Sequence, residues 1–194
     1  MACPYIEDLK VRVKDLEAQF LADQLERARA SPLDFVPNIK EIAAYRLLVH
    51  AELEDYLETK AKDGVDRFRK DFNAGKTAIR DNWQVLIIAR YLKIELDCDP
   101  TKWPIQVENV LNQADTWISK NNGIKDDSFT TISVLSGKLP DEIDSVLSAN
   151  LTSFGTKRGD VAHKAVHRVR TILSAADEAL AAENILAGLE RHFA

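Results

Sequence analysis

The chain has 194 residues, of which 45% are hydrophobic and 29% are charged. That composition is ordinary for a soluble globular protein and argues against a disordered chain, a collagen-like fibre or a disulfide scaffold. Lysine and arginine number 26 against 31 acidic residues, so the formal net charge is −5, an average that argues against a general nucleic-acid binder. The seven glycines and six prolines are too few for the frequent turns of an all-β sandwich, which favours helices.

The N-terminal third of the sequence predicts two helices. Over residues 6–30, apolar side chains recur at spacings of three and four and predict one amphipathic helix. Ser31-Pro32 ends it. Asn38 is the predicted cap of a second helix over residues 39–72, with an interruption at Asp63-Gly64.

The middle of the chain predicts three further helices. Thr77 caps the first of these, which extends through Leu96. The others cover 104–121, before a strong Asn-Asn-Gly stop, and 127–135, closed by Ser136-Gly137.

The C-terminal part predicts a helix that opens at 139–142 and is broken by Gly155, a helix over 160–176 and a last helix to His192. No segment alternates with the period of a strand. We therefore predict an all-α bundle of about six to eight helices. Because the sequence has no internal repeat or flexible linker, we expect a single domain over residues 1–194.

Cysteine usage and hydropathy indicate the compartment. Cys3 and Cys98 follow no metal-binding spacing and are expected to be reduced thiols. The N-terminus has charges of both signs and no apolar core, and the longest apolar run, 85–89, is far below the ~20 residues of a membrane span. We expect a cytoplasmic protein that does not contact a membrane.

Residues 157–170, KRGDVAHKAVHRVR, invert the charge of the chain. They contain five basic residues and one acid, a local charge of +4 with both histidines neutral. On a helix, their apolar residues share one face and their polar residues form a stripe on the other. With Gly155 and Gly159 before it, Arg158 is expected at the helix N-terminus, where unpaired amides and the helix dipole favour an anion.

The residue types in this segment suit RNA cleavage. The planar guanidinium of Arg158 matches a phosphate, and the imidazole of His163 exchanges protons near neutral pH. Together they fit cleavage of RNA by its own 2′-hydroxyl without a metal or other cofactor. Lys157, Lys164 and Arg170 are expected to attract RNA by charge.

Two segments resemble one protein family. Arg158-Gly-Asp-Val-Ala-His163 resembles the R-x(4–6)-H motif of the HEPN superfamily of small all-α proteins. Residues 44–56, AYRLLVHAELEDY, resemble the second helix of HEPN subfamilies found in defence and RNA-repair operons, the RiboL-PSP-HEPN and MAE-like types.

The resemblance implies a metal-independent endoribonuclease of a defence or toxin–antitoxin system. Two copies of the chain would join their motifs in a shared cleft, with Arg158 and His163 as the catalytic pair. RNA, a second copy and an antitoxin protein are the implied partners. The family layout also places Arg46 and Glu54 in the cleft.

One position departs from the family pattern. HEPN nucleases usually carry a polar residue directly after the arginine, whereas this chain has Gly159 there and the acid one residue later. We assign supporting roles to that acid, Asp160, and to His167.

Two alternatives stay open. One is a non-catalytic HEPN-type module that binds RNA or a protein. The other is a metal-binding bundle of the DinB-like type, because His163 and His167 stand at i and i+4 and His50 could add a third ligand. The stretch HKAVH has Lys164 where a zincin needs glutamate, which excludes that protease class.

Overall fold

The computed structural model describes the backbone of residues 4–163 and 172–194, and the side chains of 5–158 and 172–194. In this part of the chain the regular secondary structure is entirely helical, which confirms the predicted all-α class. Eight α-helices are described, joined by loops and two short 3₁₀ turns: α1 Pro4–Phe20, α2 Ala22–Ala30, α3 Ile39–Asn73, α4 Ile79–Tyr91, α5 Trp103–Lys120, α6 Asp126–Leu135, α7 Ser145–His163 and α8 Ala175–His192. None of these helices combines the length and the apolar character that crossing a membrane requires.

The chain forms two compact units. The first comprises Met1–Tyr56 and Asp144–Ala194, and the second comprises Leu57–Ile143. The predicted single domain stays a prediction. Both segments that resemble the HEPN family, 44–56 and 158–163, belong to the first unit. Its core is formed by apolar side chains of α1, α3, α7 and α8, among them Leu9, Val13, Ile42, Val49, Leu53, Leu147, Leu151, Ile185 and Leu189.

The first predicted helix is divided at Leu21 into α1 and α2. Gln24, which is 1% exposed, bonds the backbone around this break. Its amide donates to the carbonyl of Phe20 at 3.1 Å, and its Oε1 accepts from the N–H of Asn38 at 2.8 Å. The predicted cap of α3 is confirmed, because Asn38 Oδ1 accepts from the N–H of Lys40 at 3.2 Å. The buried side chain of Gln24 therefore bonds the last carbonyl of α1 and the N–H of the residue that caps α3.

The predicted interruption at Asp63-Gly64 is wrong, since α3 continues unbroken to Asn73. The glycine is present for another reason. A Cβ on Gly64 would lie 2.5 Å from Ser136 Cα and would overlap the carbonyl oxygen of Leu135. Gly64 therefore allows α3 to pack directly against the backbone at the end of α6.

Two other boundaries in the second unit differ from the prediction. The helix expected to begin after Thr77 has Ala78 as its cap, whose N–H donates to Asp81 Oδ2 at 2.6 Å. The same helix, α4, ends at Tyr91 rather than Leu96, and Lys93 then adopts a left-handed conformation with φ 58°. That conformation is incompatible with a continuing right-handed helix.

The helix expected to open at 139–142 begins later. Residues Pro140–Glu142 form a 3₁₀ turn, and α7 starts at Ser145. Asp144 Oδ1 accepts from the N–H groups of Val146 and Leu147 at 2.9 and 3.0 Å. An aspartate cap thus determines where α7 begins.

The predicted break at Gly155 is also wrong, because α7 runs through it to His163. Gly155 is buried and is flanked by Leu151 and Phe154, which are 0% and 3% exposed. Burial of these side chains outweighs the ~1 kcal/mol by which glycine disfavours a helix interior. The predicted limits of the helix over 160–176 are also wrong, since residues 160–163 belong to α7, residues 172–174 are not helical and α8 begins at Ala175. Residues 164–171 of that prediction lie outside the described part of the chain.

Candidate functional site

Arg158 lies inside α7, five residues before the last described residue of that helix. The expected position at a helix N-terminus is therefore wrong, and free backbone amides do not supply the anion site that the sequence predicted. The group that Arg158 offers to an anion is its guanidinium.

Arg158 differs in its pairing from the other arginines whose side chains are partly or fully buried. Four of the described arginine side chains are at least partly buried. Three of them are paired with carboxylates: Arg12 with Glu52, Arg46 with Glu178 and Arg69 with Asp115.

Arg158 is the fourth, and it forms no ion pair or hydrogen bond in the described part of the chain. Its Nε is buried and has no acceptor. Withdrawing a cation from water without a partner is unfavourable. The half-buried guanidinium is thus a candidate binding group for an anion.

His163 is the last described residue of α7. Positions 158 and 163 are separated by about 140° around the helix axis and about 7.5 Å along it. The two positions therefore do not share a face of α7.

Five members of the predicted site lie outside the described side chains. They are Asp160 and His163, whose backbone is described, and Lys164, His167 and Arg170. Their roles stay predictions.

Arg46 is fully buried in the first unit, at 0% exposure. Its Nε donates to Glu178 Oε2 at 3.0 Å, and its Nη2 contacts Glu178 Oε1, so the guanidinium and carboxylate meet as two forks. Glu178 is 1% exposed. This buried pair joins α3 to α8, and a role for Arg46 in lining an RNA cleft stays a prediction.

Glu178 is the residue of this region that sequence reasoning missed. A signal was present, because Arg46 follows Ile42 by four and precedes Val49 by three, which places it on the buried stripe of α3. A buried arginine needs an acid partner. Nothing in the sequence identifies which acid that is.

Glu178 also anchors the backbone that leads into α8. Its Oε1 accepts from the N–H of Leu173 at 3.0 Å. Ser174 caps the helix, its Oγ accepting from the N–H of Asp177 at 3.2 Å. One carboxylate thus bonds both α3 and the residues immediately before α8.

His50 and Glu54 lie one turn apart on α3. His50 is 2% exposed, and its Nδ1 is 3.8 Å from Glu54 Oε2, too far for a direct hydrogen bond. Among the side chains that the structure describes, no three His, Cys, Asp or Glu are grouped to hold a metal ion. The predicted pair of His163 and His167 lies outside those side chains, so the metal-binding alternative stays a prediction.

Tyr45, also on α3, has a buried hydroxyl with no hydrogen-bond partner in the described part of the chain. Burial, with a smaller contribution from the negative charge of Glu17, raises the pKa of Tyr45, so the phenol stays neutral at physiological pH. A buried polar group without a partner destabilises the folded state.

We therefore expect Tyr45→Phe to leave the free energy of unfolding unchanged or to raise it by up to about 1 kcal/mol. Urea denaturation of the wild type and the variant checks this. Tyr91→Phe, on the half-buried face of α4, is the matched control and should change little. A loss above about 1 kcal/mol in Tyr45→Phe would mean that the hydroxyl has a partner, such as an ordered water.

The chain was compared with protein-family models, curated proteins and solved structures, and none of the three comparisons found a match.

Proposed function

We propose that the chain is a metal-independent endoribonuclease in which Arg158 binds the scissile phosphate of RNA and His163 transfers protons. The proposal is carried by the half-buried guanidinium of Arg158, which has no partner in the described structure. Because a phosphate accepts two parallel hydrogen bonds from a guanidinium, it is the natural ligand for that group. The charge of +4 over residues 157–170 supports the same ligand.

The reaction needs no water or metal. A base removes the proton of the ribose 2′-hydroxyl, the 2′-oxygen attacks phosphorus, and the bond to the 5′-oxygen breaks as an acid protonates that oxygen. The products are a 2′,3′-cyclic phosphate and a 5′-hydroxyl end. Arg158 neutralises the negative charge that grows on the phosphoryl oxygens.

A second copy of the chain completes this chemistry. Base and acid must act on opposite sides of the phosphorus, and each copy contributes one His163. Since positions 158 and 163 lie on different faces of α7, a phosphate between two copies could meet the arginine of one and the imidazole of the other. We propose a homodimer assembled through this part of α7.

RNA cleavage in excess EDTA tests the proposal. The purified wild-type chain should cleave RNA and leave 2′,3′-cyclic phosphate ends, identified by mass spectrometry. Arg158→Ala and His163→Ala should each lower the rate at least about 100-fold, the usual contribution of a group that transfers a proton or stabilises the transition state. Arg90→Ala, which removes an exposed arginine of the second unit, is the control and should retain full activity.

The other outcomes separate the alternatives. RNA left intact at micromolar protein, with no antitoxin in the preparation, would favour a non-catalytic HEPN-type module. Stoichiometric zinc that is lost in His167→Ala would contradict the metal-free mechanism and favour the DinB-like bundle. A sedimentation coefficient of a monomer at the protein concentration that cleaves RNA would contradict the shared site.

Expression in cells tests the biological setting. We propose that the chain acts in a defence or toxin–antitoxin system, with an antitoxin protein as partner. Expression should then arrest growth, and His163→Ala should relieve the arrest.

A further inference from the structure

A groove between α7 and α8 in the first unit includes Lys157, the residue that precedes Arg158 in the sequence. Its volume is about 220 Å³. Two apolar side chains, Phe154 and Ile185, form its floor and are 3% and 1% exposed. The polar residues that line it are Asn150, Ser153 and Lys157 on α7 and Asn184 on α8.

These four polar side chains are not engaged by the protein. In the part of the chain that the structure describes, none of them makes a hydrogen bond or an ion pair. Each wall of the groove therefore presents one carboxamide, Asn150 or Asn184, with a free donor and a free acceptor. The groove combines an apolar surface with hydrogen-bonding groups of both kinds.

The charge of the groove is also suited to an anionic ligand. Glu178 lies at its wall, but both of its oxygens are bonded to Arg46, and one of them also accepts from the N–H of Leu173. Its negative charge is therefore compensated within the protein. Among the described residues that line the groove, Lys157 is the charged residue with no opposite charge bonded to it.

We propose that this groove binds one unpaired nucleobase of the RNA, with a preference for adenine, next to the phosphate at Arg158. The inference rests on the proposed function. An asparagine carboxamide matches the adjacent N6 donor and N7 acceptor of adenine. Proteins that read RNA sequence use such edge contacts to single-stranded bases.

The spacing along α7 supports the same ligand. Asn150 and Lys157 are seven residues apart, so they lie on the same face, separated by about 10 Å along the helix. That distance is comparable to the length of a nucleotide from its phosphate to the far edge of its base. A nucleotide could thus contact Lys157 with its phosphate and Asn150 with its base.

Calorimetric titration of the full chain with AMP and with ribose 5-phosphate tests the proposal. AMP should bind at least about fivefold more tightly than ribose 5-phosphate, because only AMP carries the base. Asn150→Ala and Asn184→Ala should each weaken AMP binding about fivefold or more and leave ribose 5-phosphate unaffected. CMP and UMP should bind more weakly than AMP.

Two considerations separate a loss of AMP binding from misfolding and from a general effect of removing an asparagine. Both asparagines are exposed on helices, where alanine has the higher helix propensity, so the variants should fold. Asn122→Ala, an exposed asparagine of the second unit, should bind AMP like the wild type.

The proposal is overturned if AMP and ribose 5-phosphate bind equally, if AMP does not bind at millimolar concentration, or if the two variants bind AMP like the wild type. These failures are distinct from failure of the nuclease. Base-dependent AMP binding by a chain that cleaves no RNA would support the groove and contradict the endoribonuclease. Cleavage by a chain that binds AMP no better than ribose 5-phosphate would contradict the groove alone.

Discussion

Replacing Glu178 by glutamine is expected to lower the free energy of unfolding by about 3–5 kcal/mol. The reason is the position of its partner. Arg46 is 0% exposed, so replacing the carboxylate removes the negative charge that Glu178 places against a guanidinium withdrawn from water. Urea denaturation followed by far-ultraviolet circular dichroism measures the change. This is the largest effect on stability that we predict for a single substitution in the chain.

A surface pair provides the control for that substitution. Arg80 Nη2 is 2.9 Å from Glu142 Oε2, and both side chains are well exposed. Glu142→Gln removes the same chemical group and should cost only about 0–1 kcal/mol.

The double variant Arg46→Met, Glu178→Leu removes both buried charges and should recover most of the lost stability. A cost below about 1 kcal/mol for Glu178→Gln would contradict the desolvated pair, because it would mean that water reaches Arg46.

Gly64→Ala is expected to lower the free energy of unfolding by about 1–3 kcal/mol. In an exposed helix interior the same change would stabilise by roughly 1 kcal/mol, so the predicted sign is the reverse of the helix propensity. The new Cβ would meet the backbone at Leu135 and Ser136. Backbone atoms cannot rotate away as a flexible side chain can.

Gly123→Ala is the matched control in the same unit. A Cβ there would have only Ser128 Oγ nearby, at 3.7 Å, which is an ordinary contact. Its effect on unfolding should stay within about 0.5 kcal/mol or be stabilising. If Gly64→Ala were stabilising, the close approach of α3 to the end of α6 would be contradicted.

The two glycines that were misinterpreted show the limit of reading this fold from its sequence. Helix positions followed from apolar spacing, and α5, α6 and α8 begin and end within two residues of their predicted limits. The sequence predicts a helix break at both Gly64 and Gly155, yet each lies inside a continuous helix. In sequence, a glycine that permits close packing looks the same as one that ends a helix. Only the partner surface distinguishes them.

For the candidate site, the sequence predicts the types of residue better than their positions in the fold. The charge reversal at 157–170 identified Arg158, but its place in the helix depended on Gly155 and was wrong. Glu178 was missed because it lies 132 residues from Arg46 along the chain, and local patterning carries no information on such pairs. Sequence patterning does not reveal the groove between α7 and α8 for the same reason. Asn150 and Asn184 come to line one groove only because the two helices pack together.

The anchoring of Leu173 by Glu178 has a consequence for genetic selection. If expression arrests growth, survivors selected from a random library should carry substitutions at Arg46 and Glu178 as well as at Arg158. Loss of the buried pair would release the backbone before α8 and lower the amount of folded protein. Immunoblotting of the survivors separates the two groups, because substitutions at Arg158 should leave the protein abundant whereas those at the buried pair should deplete it.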